Sequence, residues 1–407
     1  MNRAVGTGRG LPFEIFDKII DLVAKDTKTL IKCSLVSRAF YDHTRFYLLY
    51  TFRVCPVLQS AALAQLVDFW DTSPHLPTYI HTFHFSTVFL TEHDAPRVLY
   101  HLRSVKDAFM NDLVFDHFEH REAVEALAAL PIQTLTINKS AFPSFHDFSF
   151  VIRCFPLLRS LHLFGASISA TTTVTPWINS LPQCSPPRIE HLTITARSID
   201  TRKSNTRLFS EFPAPPFDDN QPFRIDNLKR LEVRCANQTD IIRIGRFLPR
   251  VKRTLKSLSI IRVDNGVSSR GQPMPWVLGL PPLDLESIED LTIDVGFKVR
   301  SYADYLLWWI SNLSTAKAIR SITIRIAMAL EYIHKEEDKQ WQNVWHAFGL
   351  AMLGKESLQK VLVEFQIPSS PRNFFTRKRG VERECRDLVE RGVMRVVVPN
   401  KARLVAF

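Results

Sequence analysis

The chain has 407 residues, 45% of them hydrophobic and 23% charged, a balance that is globular and excludes a chain disordered or membrane-like throughout. That length exceeds one compact core of ordinary size, so either two domains or a repeat array is expected. The net charge of +11 draws acidic partners of any kind, while six scattered cysteines without a CxxC pair exclude a disulfide or zinc framework and fit the cytoplasm or nucleus.

In chain order, residues 1–10 read as a flexible leader. Gly6, Gly8 and Gly10 alternate there, but no strand precedes them to make a phosphate-cradling loop. From Leu11 to Tyr50 the pattern predicts three short amphipathic helices. Pro12 suits a first turn, and Glu14 lies where the positive end of the helix dipole favours an acid. Ile15, Phe16, Ile19, Ile20 and Val23 are read as one apolar stripe, with Glu14, Asp17, Lys18 and Asp21 opposite. Asp26 or Thr27 is placed at the N-cap of a second helix through Cys33, and Ser34 at that of a third carrying Leu35, Val36, Phe40, Phe46 and Leu49. Some forty residues bury only part of such an inventory, so an apolar surface is left for a partner.

The order Leu11-Pro12-x-Glu14-Ile15, Ile19-Ile20, Leu30, Cys33-x-Leu35-Val36-Ser37-Arg38-Ala39-Phe40 resembles the F-box, in the form common in fungal F-box proteins with irregular leucine-rich tails. The likeness covers residues 11–50. Phe40 stands where the family more often has Trp. The resemblance implies docking on the Skp adaptor, and through it on a cullin. The docking residues would be Leu11, Pro12, Ile15, Ile19, Leu30, Leu35, Val36 and Phe40. It further implies a substrate-receptor subunit of an SCF-type ubiquitin ligase, with no catalysis of its own.

Residues 51–79 read as a helical linker. From about residue 80 the phrase apolar-x-x-apolar-x-apolar recurs, from Ile80-Phe83-Phe85 through Leu158-Leu161-Leu163 and Ile288-Leu291-Ile293 to Val393-Val396-Val398. A weak copy is Val105-Ala108-Met110. The middle residues are spaced by 25 to 39 positions, the signature of stacked supersecondary units, and the phrase resembles the strand segment of leucine-rich repeats. Helical spacing fills the intervals, for example from Ala95 to Lys106 and from Trp341 to Leu353. The expected fold is therefore α/β: a three-helix F-box, then over residues 80–407 an irregular leucine-rich-repeat-like solenoid with parallel strands on one face and helices on the other. Two long spacers, Arg197 to Asn227 and Asp264 to Pro282, read as surface loops.

Alternation along the strands puts small polar residues on the uncovered face. Among them Arg230, Arg234 and Arg325 are the candidates for gripping an acidic or phosphorylated target protein, since guanidinium forks match carboxylate and phosphate. His81 and His84, like His117 and His120, lie three apart but lack the thiols or HExxH of a metal site, and no GxSxG is present. No cofactor and no membrane partner is expected. The alternative reading is a non-catalytic repeat scaffold that binds nucleic acid or an acidic partner through its basic surface.

Overall fold

A computed structural model describes residues 13–36, 38–54, 60–112, 120–168, 185–195, 222–235, 238–262, 280–295, 302–327, 335–366 and 371–397. Leu11 and Pro12, the leader, and Ser37 lie outside them. The chain divides into two compact units, residues 1–136 and 137–407.

The first unit opens with helices α1 (Phe13–Val23), α2 (Thr27–Ser34) and α3 (Arg38–Leu49). Asp26 caps α2, its side chain accepting from the N–H groups of Lys28 at 3.1 Å and Thr29 at 3.2 Å. Ser34 ends α2 instead of capping α3: its hydroxyl donates to the Ile31 carbonyl at 2.7 Å. The stretch read as a helical linker starts with a strand, β1 (Thr51–Arg53), before α4 (Ser60–Thr72). Then come β2 (Thr82–Ser86), α5 (Ala95–His101), β3 (Asp107–Asn111), α6 (Arg121–Ala128) and β4 (Thr134–Asn138), which spans the division. Strands β1, β2 and β3 are parallel neighbours, with Phe52 beside Phe83 and Phe83 beside Ala108. The weak repeat copy at Ala108 is thus a true strand.

In the second unit, β5 (Ala141–Phe142) and β7 (Ser167–Ile168) pair apart from the main sheet, which begins at β6 (Ser160–Phe164). It continues through β8 (His191–Thr195), β9 (Arg230–Cys235), β10 (Ser257–Arg262), β11 (Asp290–Val295), β12 (Ser321–Ala327), β13 (Lys360–Gln366) and β14 (Met394–Val397), every neighbour parallel. The run does not close on itself. Helices α7 (Phe145–Arg153), α8 (Gln238–Val251), α9 (Tyr302–Thr315), α10 (Lys335–Leu353), α11 (Pro371–Glu384) and α12 (Arg386–Glu390) stand between strands. Among the described residues the chain is α/β with all-parallel ladders.

The register explains why the phrase recurs. Leu161, Leu192, Leu231, Leu258, Leu291, Ile322 and Val361 are successive Cα partners, so the middle positions form one continuous apolar row. Every member is sealed from solvent. The third positions, from Leu163 to Val363, form a second such row. The last phrase is displaced: Val361 faces Met394, and Val396 faces Val363. A slip of two keeps the same side chains inward, which is why it does not disturb the pattern.

A charged ladder runs just ahead of the strands. The carbonyls of Arg159, Glu190, Lys229, Lys256, Glu289 and Arg320 each accept two N–H groups from the next strand's start, as in Lys229 N–H and Arg230 N–H to Glu190 at 2.8 and 3.0 Å. Two carboxylates each sit between two cations: Lys229 Nζ meets Glu190 at 2.7 Å with Arg159 on its other side at 3.9 Å, and Lys256 Nζ meets Glu289 at 2.9 Å with Arg320 on its other side at 3.7 Å. Hydrogen bonds from these lysines hold Glu190 and Glu289 below the ordinary carboxylate value.

The end of the first long spacer is core rather than surface loop. Phe223 and Ile225 are fully buried, and Arg224 bridges back to Arg188 with its N–H on the Pro187 carbonyl at 2.8 Å.

Candidate functional site

Two surfaces carry the residues singled out by the sequence, one in each unit. The first belongs to the opening helices. At 100° per residue, Asp17, Ile20 and Asp21 share one side of α1 while Ile15, Ile19 and Leu22 share the other. The acidic side is the one turned to α3. His43 lies 3.2 Å from Asp17 and 3.3 Å from Asp21, and the Tyr47 hydroxyl donates to Asp21 at 2.5 Å. Tyr47, then His43, hold the Asp21 carboxyl below its ordinary value. Ile20 is buried beneath this polar seam.

The stripe read as a single apolar face is therefore split. Polar groups spend the inward side of α1, so Ile15, Ile19 and Leu22 are left exposed, together with Ile31 on α2. Leu35 and Val36, in the turn after α2, are 82% and 70% exposed. Their backbones are nevertheless fixed, with Leu35 N–H on the Lys32 carbonyl at 3.1 Å and Val36 N–H on that of Cys33 at 3.0 Å. Large aliphatic side chains held outward on a hydrogen-bonded turn cost solvation and contribute nothing to the fold.

Not every sequence candidate shares this surface. Leu30 is sealed inside the three-helix core and cannot present itself, Phe40 is half-buried, and Leu11 and Pro12 lie outside the described residues. Leu22 and Ile31 were missed as members. For Leu22 the signal was present: it falls on the Ile15–Ile19 side of α1 once the Asp17–Asp21 side is recognised as tied to His43 and Tyr47.

The second surface is the uncovered face of the sheet in the second unit. Across it the register sets Thr195, Arg234, Ile261, Asp294, Arg325 and Glu364 side by side. The three arginines are not equivalent. Arg325 donates from Nε to Glu364 at 3.0 Å, and Arg230 lies 3.9 Å from Glu232, so both already face a carboxylate of the chain itself. Arg234 differs, because its Nε is shielded from solvent and has no hydrogen-bond partner among the described residues. Asp294 is pushed up to about 6 by burial, which outweighs the opposing pull of Arg325 and Arg234. In the first unit the corresponding face carries Arg53, His84 and Phe109 in register, with the His84 ring stacked on Phe109 at 4.2 Å. Burial, then Arg53, lowers the His84 pKa.

Among the described residues no cluster of histidine, cysteine or carboxylate side chains is arranged to hold a metal. His81 instead meets the Ser104 carbonyl through Nδ1 at 3.1 Å. The arrangement is thus one of surfaces: an apolar one on helices and a charged one on strands. No protein-family model matches the chain, and no curated protein matches it either. Among the described residues no helix is long and apolar enough to cross a membrane.

Proposed function

We propose that the chain is the substrate-receptor subunit of an SCF-type cullin-RING ubiquitin ligase, its opening helices an F-box and the rest an irregular leucine-rich-repeat-like solenoid. The observation that carries this reading is the outward display of Ile15, Ile19 and Leu22 on α1, Ile31 on α2 and Leu35 and Val36 in the turn after it, while Ile20 and Leu30 fill the inward positions. The ordered residue types from Leu11 to Phe40 support the Skp adaptor as the polypeptide that covers them. In-register stacking of the recurring phrase supports the repeat reading.

In this role the protein breaks no bonds. It holds a target near the ubiquitin-loaded enzyme and so raises the effective concentration of the target's lysines. The work would be done in the cytoplasm or nucleus. The experiment that tests it is co-expression of the full chain with a Skp adaptor, followed by size-exclusion chromatography. Co-elution as a one-to-one complex is expected; separate elution at micromolar concentration would reject the assignment.

A further inference from the structure

The uncovered sheet face holds an arrangement that adaptor docking leaves unused. Thr195 and Arg234 are neighbours in register on β8 and β9, and Ile261 on β10 separates Arg234 from Asp294 on β11. With strands roughly 4.8 Å apart, Arg234 and Asp294 face each other across about 10 Å over an isoleucine floor. Among the described residues, the Thr195 hydroxyl and the Arg234 Nε are both shielded donors with no acceptor. Leaving such donors unmatched is costly, so the arrangement favours an incoming acceptor. Arg234 is half-buried and so not wholly sealed from solvent, whereas Arg325 is engaged by Glu364.

We propose that Arg234, backed by Thr195 and flanked by Ile261 and Asp294, is the position that receives a carboxylate side chain from an acidic segment of the target protein, and that Asp294 takes up a proton as it binds. The proposal deepens the target-capture half of the reading above and is independent of the adaptor-docking half.

The coupling follows from charge. Asp294 is faced by Arg325 and Glu364 from β12 and β13 and by Arg234 and Glu232 from β9; β10 offers Ser259 and Ile261 there, neither of which titrates. Its carboxyl already sits near 6 because burial penalises its charge. A second carboxylate on Arg234 raises it further, so target binding and protonation of Asp294 support each other. If binding raises its proton affinity tenfold, the target is held about sixfold more tightly at pH 5.5 than at 7.5.

The test uses the full chain and a fluorescent twelve-residue peptide of alternating Glu and Gly, read by anisotropy at both pH values. Wild type should bind more tightly at pH 5.5. Asp294→Asn should bind equally at both, as tightly at pH 7.5 as wild type does at 5.5, which separates Asp294 from His162 and His191 on the same face. Arg234→Met should weaken binding at least tenfold at either pH, while Arg230→Met should leave it within twofold. Circular dichroism and a thermal melt on the same samples report whether each variant is folded; a misfolded Arg234→Met is replaced by Arg234→Gln. Unchanged binding by a folded Arg234 variant, or pH dependence surviving in Asp294→Asn, would overturn the proposal. So would displacement of the peptide by low-millimolar inorganic phosphate, which would make the site one for free anions.

Discussion

Replacing Leu35 and Val36 together with aspartate separates docking from folding. Both side chains project from the turn after α2 and are 82% and 70% exposed, so little packing is lost with them. The hydrogen bonds that shape the turn are made by backbone N–H groups and survive the change. A surface substitution of this kind alters stability by about 0.5 kcal/mol or less at each site. An anchor at the centre of an interface carries more than about 2 kcal/mol, so losing even one weakens adaptor binding about thirtyfold. Isothermal titration against the Skp adaptor reads the affinity, and a thermal melt reads the fold. Leu30→Ala is the counterpart: it leaves the exposed surface intact but empties a core position, costing about 2–5 kcal/mol of stability. A Leu35/Val36 double variant that keeps its affinity within threefold of wild type would refute the reasoning.

Three further outcomes bear on the fold. Asp294 sits near 6 when folded against 3.8 when unfolded, so the folded state holds the extra proton between those values and stability falls as pH rises through that window. Asp294→Asn should flatten that slope in urea titrations at pH 4 to 7, gaining at pH 7 at most about 3 kcal/mol, a ceiling that solvent screening reduces. Ser144→Ala removes the N-cap of α7, whose oxygen accepts the Asp147 N–H at 3.1 Å and whose hydroxyl donates to the buried Asp147 side chain at 2.7 Å. A loss of at least about 1 kcal/mol is expected in chemical denaturation. Gly349→Ala would bring a Cβ to 3.2 Å from the Glu384 carbonyl where α10 meets α11, and a lower melting temperature, worth about 1–3 kcal/mol, should follow.

The strands were legible in the sequence because a fully buried parallel ladder requires the same apolar positions at every step, whatever the length of the connection. Even Ala108 and Met110 obey it. Strand β1 was not legible, since Thr51-Phe52-Arg53 is too short to carry the phrase and is defined by pairing with β2. Helix α7 was overlooked although Ser144 and Asp147 stand at capping spacing before an apolar run. On the candidate surfaces, exposure of Leu35 and Val36 accords with the surplus of apolar residues read from the opening segment. The two-sided nature of α1 does not emerge from periodicity, because His43 and Tyr47 decide it from another helix. The pairing of Arg325 is equally hidden: Glu364 lies 39 positions away and meets it only through the register of β12 and β13.

The two carboxylates held between cations ahead of the strands limit how this chain can be rearranged. Removing the unit that contributes Glu289 would bring Lys256 against Arg320, two cations where attraction now stands, and removing the one with Glu190 would do the same to Arg159 and Lys229. The two strands that follow Glu190 and Glu289 thus carry an address as well as a hydrophobic filling, and those segments are not interchangeable bricks.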